Sequence, residues 1–244
     1  MEVSVSQERS VRSADDVPIR VVSLGLQDYQ GVWEYQHQLA AQRVRNEVGD
    51  TLLLVEHPFV YTAGSRTQPE DRPNDGSPVI DVDRGGRITW HGPGQLVGYP
   101  ILKLADGCDG VAVVRRIEQA LIAVCARYEI DAALVPGRSG VWVPTREDSG
   151  ALLPRHKIAA IGMRVQRGVT LHGFSLNCNN EFRGFDSIVP CGITDAGVTS
   201  LSHELGRDVA VSTVTEAVGD SIVNAIDGRS PKCGAGRESN PLQQ

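Results

Sequence analysis

The chain has 244 residues, a formal net charge of −6, 41% hydrophobic residues and 22% charged residues. This composition is typical of a soluble globular protein, and the length is sufficient for a core without metal or disulfide support. The acidic balance argues against broad binding of nucleic acid, so an acidic partner would need a local basic patch. The sequence shows no apolar run long enough to cross a membrane and no secretory signal at the N-terminus.

The five cysteines lie far apart, and their odd number does not suggest a disulfide framework. We therefore expect a cytoplasmic protein in a reducing compartment. Residues 1–18 and 228–244 are polar, and we expect them to be flexible tails. The intervening residues 19–227 contain no repeat and no low-complexity linker, which predicts one domain.

The N-terminal half predicts a helix followed by strands. Asp28 is a candidate N-cap for a helix that runs to about Val48, and the apolar run TLLLVEH after it is typical of a buried strand. Residues 58–78 are rich in Gly and Pro and are predicted to form a loop. Three further strands are predicted at residues 79–82, 87–91 and 95–102.

The C-terminal half predicts two helices around a second group of strands. Apolar residues at helical spacing indicate one helix from Asp109 to Tyr128 and another from Thr213 to Ile226. The pattern lacks a regular βαβ alternation, so it favours an α+β domain with a mixed β-sheet and packed helices. The short strands between the helices are predicted around residues 132–135, 140–143, 157–165 and 169–177.

A glycine-rich stretch from Arg84 to Gln95, RGGRITWHGPGQ, matches neither a Walker A loop nor a dinucleotide-binding fingerprint. Glycine permits positive φ and close approach of the backbone to a ligand. Two interpretations remain open: a pair of ordinary turns around a strand, or the wall of a ligand site. The second interpretation is favoured by the nearby basic residues Arg84, Arg87 and His91.

Cys191 stands apart from the other cysteines because Pro190 and Gly192 indicate a tight turn around it. A free cysteine is usually a small buried apolar residue, and Cys125 fits that description. A nucleophilic thiol needs a helper that favours the thiolate, which is usually His but can be Lys. Lys157 is one of only three lysines, although a solvated charge at a strand start is the plainer interpretation of its position. Zinc-ligand spacings and a serine-hydrolase elbow are not found, so we expect no metal and no cofactor.

Taken together, EHPFVYTAG, RGGRITWHGPGQLVGYP, KIAAIG, HGFSLN, PCGI and GVTSL resemble the lipoyl(octanoyl) transferase family. The resemblance extends from about Val21 to Ile226. It implies the fold of the biotin/lipoate protein ligase catalytic domain, with Cys191 as catalytic nucleophile and Lys157 as its activator. The substrate-binding residues that it implies are Arg84, Gly85, Gly86, Arg87, Ile88, Thr89, Trp90, His91, Ala160, Ile161, Gly162, His172, Gly173, Phe174 and Ser175.

The implied reaction has two steps. Cys191 takes an octanoyl group from octanoyl-acyl-carrier protein, and the lysine amine of a lipoyl domain then attacks the resulting thioester. The implied acceptors are the lipoyl domains of 2-oxoacid dehydrogenase E2 subunits and the glycine cleavage H protein, and neither nucleic acid nor a membrane takes part. Covalent catalysis divides one difficult transfer into two easier steps.

Three alternatives remain open from the sequence. An ATP-dependent lipoate or biotin ligase would share the fold but would not need a cysteine nucleophile. A non-catalytic acyl-carrier-binding protein would keep the glycine-rich wall without needing both Cys191 and Lys157. A thioesterase would use water in place of the acceptor lysine.

Overall fold

The computed structural model describes residues 10–13, 17–146, 152–188 and 196–229. The first helix, α1, spans Tyr29–Val44, a few residues shorter than expected. Asp28 caps it as predicted, because its carboxylate accepts a hydrogen bond from the Gly31 N–H at 2.8 Å. The capped end fixes where the chain enters the helix.

Ten strands form two sheets in the described residues. The larger sheet has the order β1-β2-β6-β10-β9-β8-β7, in which β1 and β2 are parallel and every other pair is antiparallel. The smaller sheet has the order β4-β3-β5. The predicted α+β class with a mixed sheet is therefore confirmed. The strands are β1 Arg20–Leu26, β2 Thr51–Glu56, β3 Val60–Ala63, β4 Val79–Asp81, β5 Ile88–His91, β6 Gln95–Ile101, β7 Ala133–Val135, β8 Arg138–Arg146, β9 Leu152–Gln166 and β10 Val169–Asn177.

Helices cover both faces of the larger sheet. Helices α2 (Gly110–Arg127) and α5 (Val211–Ile226) pack on one face, against a core that includes Leu52 and Leu54. Leu53 and Val55 project to the opposite face and join a second core with residues of α1. Because β2 is buried on both faces, its sequence is continuously apolar rather than alternating. Two short α-helices, α3 (Arg183–Asp186) and α4 (Leu201–Leu205), and a 3-10 helix at Pro69–Asp71 complete the described fold.

Two strands were not expected from the sequence. The predicted loop at residues 58–78 contains β3, whose four residues pair with β5 and three of which also pair with β4. The first strand, β1, is an exposed edge strand with no regular alternation of burial, so its sequence carries little strand signal. Both strands are recognisable only through their pairing partners.

Residues 10–13, within the predicted N-terminal tail, contact the rest of the domain. Val11 and Arg12 are buried, and the Arg12 guanidinium forms ion pairs with Asp50 and Asp227. These contacts attach residues 10–13 to the domain, and the polar sequence of this stretch did not indicate them. No helix in the described residues is long and apolar enough to cross a membrane.

Candidate active site

The loop before β5 is fixed by the side chain of Arg84. Its guanidinium donates hydrogen bonds to the carbonyls of Gly85 and Arg87 and to the carbonyl and hydroxyl of Thr62, at 2.7–3.2 Å. Gly86 has a φ of +92°, a conformation that favours glycine. The Arg84 side chain therefore stabilises the conformation of this loop from inside it. The sequence had shown only that Arg84 is a basic residue beside glycines.

The alternation of β5 divides the predicted binding stretch into two groups. Thr89 and His91 face a cavity between the two sheets. Ile88 and Trp90 point to the opposite side, where they pack with Tyr61 in the core of the smaller sheet. Because successive side chains on a strand point to opposite faces, only half of β5 can line the cavity. The structure therefore places Ile88 and Trp90 behind the wall.

Strands β9 and β10 bring the other two predicted binding segments side by side. Ala160 pairs with Ser175, Ile161 with Phe174 and Gly162 with Gly173. A Cβ atom on Gly162 would lie 2.9 Å from the carbonyl oxygen of Gly85. Glycine at this position lets the Arg84 loop rest directly on the sheet, where the Gly85 N–H donates to the Met163 carbonyl at 3.1 Å.

These segments enclose a cavity of about 310 Å³. Its size is at the lower end of ordinary small-molecule sites. The cavity wall contains five cationic residues and, among the described residues, no carboxylate, in a chain whose net charge is −6. The lining residues are Tyr29, Arg66, Arg84, Gly85, Gly86, Arg87, Thr89, His91, Val97, Tyr99, Gly137, Arg138, Ser139, Lys157, Ala160, Ile161, Gly162, His172, Gly173, Phe174 and Ser175.

His172 lies at one end of this wall in an unusual backbone conformation, with a φ of +58°. Its Nε2 is 2.6 Å from Asp83, and its backbone N–H donates to the Gln36 side chain. Burial lowers the pKa of His172 to about 4, although the hydrogen bond to Asp83 opposes this effect. The ring is therefore neutral near pH 7, with the proton on Nε2 facing the carboxylate.

His91 is likewise neutral. Burial, followed by the neighbouring His57, lowers its pKa to about 3. Its Nδ1 is 2.7 Å from the Gln95 side-chain oxygen, and its ring stacks on Tyr29 with centroids 6.0 Å apart. Neither histidine therefore adds positive charge to the cavity at neutral pH.

Lys157 lies on β9 and is only 8% exposed, which rules out a solvated surface charge. Its Nζ lies 4.5 Å from the centroid of the Trp142 ring, within cation–π range. The Lys157 N–H donates to the Gly197 carbonyl at 2.9 Å, and the Thr199 N–H donates to the Lys157 carbonyl at 3.0 Å. The residue is therefore held both through its side chain and through its backbone.

Lys157 also stands between two cavities. A second cavity of about 210 Å³ shares Thr89, Lys157, Ala160 and Ser175 with the first. Its remaining wall includes Trp142, Phe185 and residues 196–198. The Lys157 side chain thus lies at the junction of the two cavities, close to residues 196–198.

Cys191 lies outside the described residues, as does Cys233. Among the described cysteines, Cys125 and Cys178 are buried, and burial raises the pKa of each to about 12. Both are therefore uncharged thiols near neutral pH and poor nucleophiles. In the part of the chain that the structure describes, no cluster of His, Cys, Asp and Glu has the arrangement of a metal site.

Several wall residues escaped sequence reasoning. Tyr29 and Tyr99 are ordinary apolar positions of α1 and β6, and Trp142 is one of several aromatic residues. Arg66 and Arg138 lie in loops or at a strand start without a motif. The sequence offered no pattern that shows which of these side chains face the cavity.

Several known proteins are similar to this chain in sequence. The lipoyl protein ligase A/B catalytic domain family matches residues 28–223. An octanoyltransferase of Rhodococcus opacus is 65% identical over 214 residues, which cover 88% of this chain and 83% of the relative. An octanoyltransferase of Nocardia farcinica is 55% identical, with 93% of this chain and 90% of the relative covered.

Solved structures with a similar fold are more distant in sequence. A bipartite lipoate protein ligase from Thermoplasma acidophilum has a TM-score of 0.62 at 14% identity, covering 86% of this chain and 84% of that protein. A lipoate-protein ligase A bound with ATP has a TM-score of 0.58 at 13% identity, covering 86% of each chain. At these identities the likeness establishes the predicted ligase-type fold and nothing more.

Proposed function

This chain belongs to the lipoyl protein ligase A/B catalytic domain family, and we propose that within it the chain is an octanoyl-[acyl-carrier-protein]:protein N-octanoyltransferase. Relatives named octanoyltransferase at 55–65% identity over most of the chain support this activity. The donor is octanoyl-acyl-carrier protein. The acceptor is the lysine of a lipoyl domain, as in 2-oxoacid dehydrogenase E2 subunits and the glycine cleavage H protein.

The observation that carries the mechanism is the position of Lys157. Its side chain is buried at the junction of two cavities, and its backbone is hydrogen-bonded to Gly197 and Thr199. Those residues closely follow the segment that contains Cys191. Ala196 is five positions after Cys191 in the sequence, a span of at most about 18 Å. The length of this segment therefore permits the Cys191 thiol to approach the Lys157 side chain.

In the first step, the Cys191 thiolate attacks the acyl thioester, the bond to the carrier sulfur breaks and a thioester forms on the enzyme. Lys157 favours the Cys191 thiolate through its positive charge and then gives a proton to the departing carrier thiolate, which leaves Lys157 neutral. In the second step, the acceptor amine attacks this thioester and forms an amide, and Cys191 leaves as a thiolate. The proton lost by the amine passes to a base, a role that suits Lys157 when it is neutral.

The 310 Å³ cavity is the proposed acyl site. Its wall combines small residues on β9 and β10 with the Arg84 loop, which leaves space for an extended chain along the strands. The binding residues are those proposed from the sequence, except that Ile88 and Trp90 support the wall from behind. Residues 19–227 constitute the proposed catalytic domain, and we place it in the cytoplasm.

The main alternative is an ATP-dependent ligase, because the fold is shared with lipoate-protein ligases. Transfer from a thioester to an amine needs no further source of energy, whereas a ligase must form an acyl-adenylate. We expect octanoyl transfer from the carrier protein to proceed at the same rate with or without ATP and magnesium. Product formation is measured by mass spectrometry of the lipoyl domain, and strict dependence on ATP would assign the ligase activity.

The acyl site is tested by enlarging one wall residue. Ala159 points into the core, so Ala160, its neighbour on β9, faces the cavity. Ala160→Leu should lower kcat/KM for an octanoyl donor by about 10-fold or more. A single extra or missing carbon in an apolar pocket already changes discrimination between substrates by about 10-fold or more. A butanoyl donor should be affected less.

Ala105→Leu is the matched control, since Ala105 is half-buried and outside both cavities. It should leave the ratio of octanoyl to butanoyl turnover at the parent value. An Ala160→Leu protein that is folded and retains the parent's chain-length preference would move the acyl site elsewhere.

A further inference from the structure

A chain of buried polar side chains crosses the site without touching the proposed reacting atoms. His91 Nδ1 is 2.7 Å from Gln95 Oε1, Gln95 Nε2 donates to Asn177 Oδ1 at 2.9 Å, and Asn177 Nδ2 donates to the Thr199 carbonyl at 2.9 Å. Gln95, Asn177 and Thr199 are each at most 5% exposed. Such a network lies in a low-dielectric interior, where a polar group without a hydrogen-bond partner destabilises the fold.

The Thr199 carbonyl determines the direction of every bond in this chain. A carbonyl oxygen can only accept, so Asn177 must direct its NH₂ toward Thr199 and its oxygen toward Gln95. Gln95 must then direct its NH₂ toward Asn177 and its oxygen toward His91. His91 consequently carries its proton on Nδ1, and its Nε2 is the unprotonated nitrogen.

The far end of the network holds the backbone that surrounds Lys157. Thr199 donates its N–H to the Lys157 carbonyl, and Gly197 accepts from the Lys157 N–H. Val198, between them, forms a parallel bridge with Lys157. Asn177 therefore anchors the short stretch that both aligns Lys157 and follows the Cys191 segment.

We propose that Asn177 is a positioning residue for acyl transfer: through the Thr199 carbonyl it fixes the 197–199 stretch that aligns Lys157. This inference rests on the proposed octanoyltransferase activity. Gln95 acts through Asn177 by holding its amide in the donating orientation. The sequence had suggested no role for Asn177, which ends the HGFSLN motif.

Asn177→Asp tests the donor specifically. Its carboxylate still accepts from Gln95 but places a negative oxygen against the Thr199 carbonyl. Near pH 7.5 we expect kcat to fall about 10- to 100-fold, because small displacements of a catalytic group have effects of this size. KM for the octanoyl donor should change less than about threefold. Asn177→Leu, of similar size but without hydrogen bonds, should show a comparable loss.

The pH profile separates positioning from general damage. When the introduced carboxyl group of Asn177→Asp is protonated, it regains an O–H donor for the Thr199 carbonyl. The ratio of variant to parent kcat should therefore rise as pH falls, within about pH 5–8. The same ratio for Asn177→Leu should stay flat. The titratable groups near this position in the described residues are common to both variants, and they are His91, Lys157, Asp186 and Glu204.

Melting temperatures and circular dichroism show whether each variant is folded. Folded Asn177→Asp and Asn177→Leu proteins with the parent's kcat would overturn the proposal, as would an Asn177→Asp ratio that is flat with pH. A parent protein that transfers no octanoyl group would instead contradict the proposed function. The two failures are therefore distinguishable.

Discussion

Incubation with octanoyl-acyl-carrier protein, in the absence of a lipoyl domain, should leave one octanoyl group on Cys191. The adduct should be released by hydroxylamine, as a thioester is, and should pass to a lipoyl domain added afterwards. Cys191→Ala should lower transfer by at least about 10³-fold, because loss of a covalent nucleophile removes the two-step route. Peptide mass spectrometry of the trapped enzyme identifies the modified residue.

The other cysteines serve as internal controls. Cys125 and Cys178 are buried, and their pKa values of about 12 keep them protonated at the assay pH. Both should stay unmodified under conditions that acylate Cys191. Cys191→Ser should accumulate no thioester, because a hydroxyl is a far weaker nucleophile than a thiolate. Transfer at the parent rate by Cys191→Ala would require direct attack of the acceptor amine on the carrier thioester.

The fold could be predicted where local pattern and burial agree. Three features can be recognised from the residues of their own segments. They are the Asp28 cap, the doubly buried β2 and the apolar stripe of α2. The edge strand β1 and the short β3 depend on distant partners instead. A strand of four residues carries too few alternations to be separated from a loop.

The sequence indicated residues that the structure brings together at one cavity, but it did not indicate the whole cavity wall. Motif residues at Arg84, Lys157 and Gly173 line one cavity, although they are far apart in the chain. The role of Arg84 and Gly173 in substrate binding and the role of Lys157 in thiol activation stay predictions. The contribution of Trp142 to the surroundings of Lys157 was missed, because pairing of β8 with β9 is a property of the register and not of either segment alone.

The second large effect should follow from substitution of Lys157. Lys157→Ala should reduce overall transfer by about 10²- to 10⁴-fold, which is the usual range for loss of a general acid–base group. The pH dependence of Cys191 alkylation by iodoacetamide should shift to higher pH in this variant, because the positive charge that favours the thiolate is removed. Lys103→Ala is the control, since Lys103 binds Asn46 and lines neither cavity.

Lys157→Arg separates the two roles assigned to the lysine. Arginine stays charged and cannot accept a proton at neutral pH. The variant should therefore still acquire the octanoyl group on Cys191, but should pass it slowly to the lipoyl domain, so that the acyl-enzyme accumulates. Single-turnover mass measurements of both proteins follow each step directly. If Lys157→Ala shows the parent's alkylation profile and the parent's turnover, Lys157 has no part in activating the thiol, and the buried ammonium beside Trp142 serves only to fill the junction between the cavities.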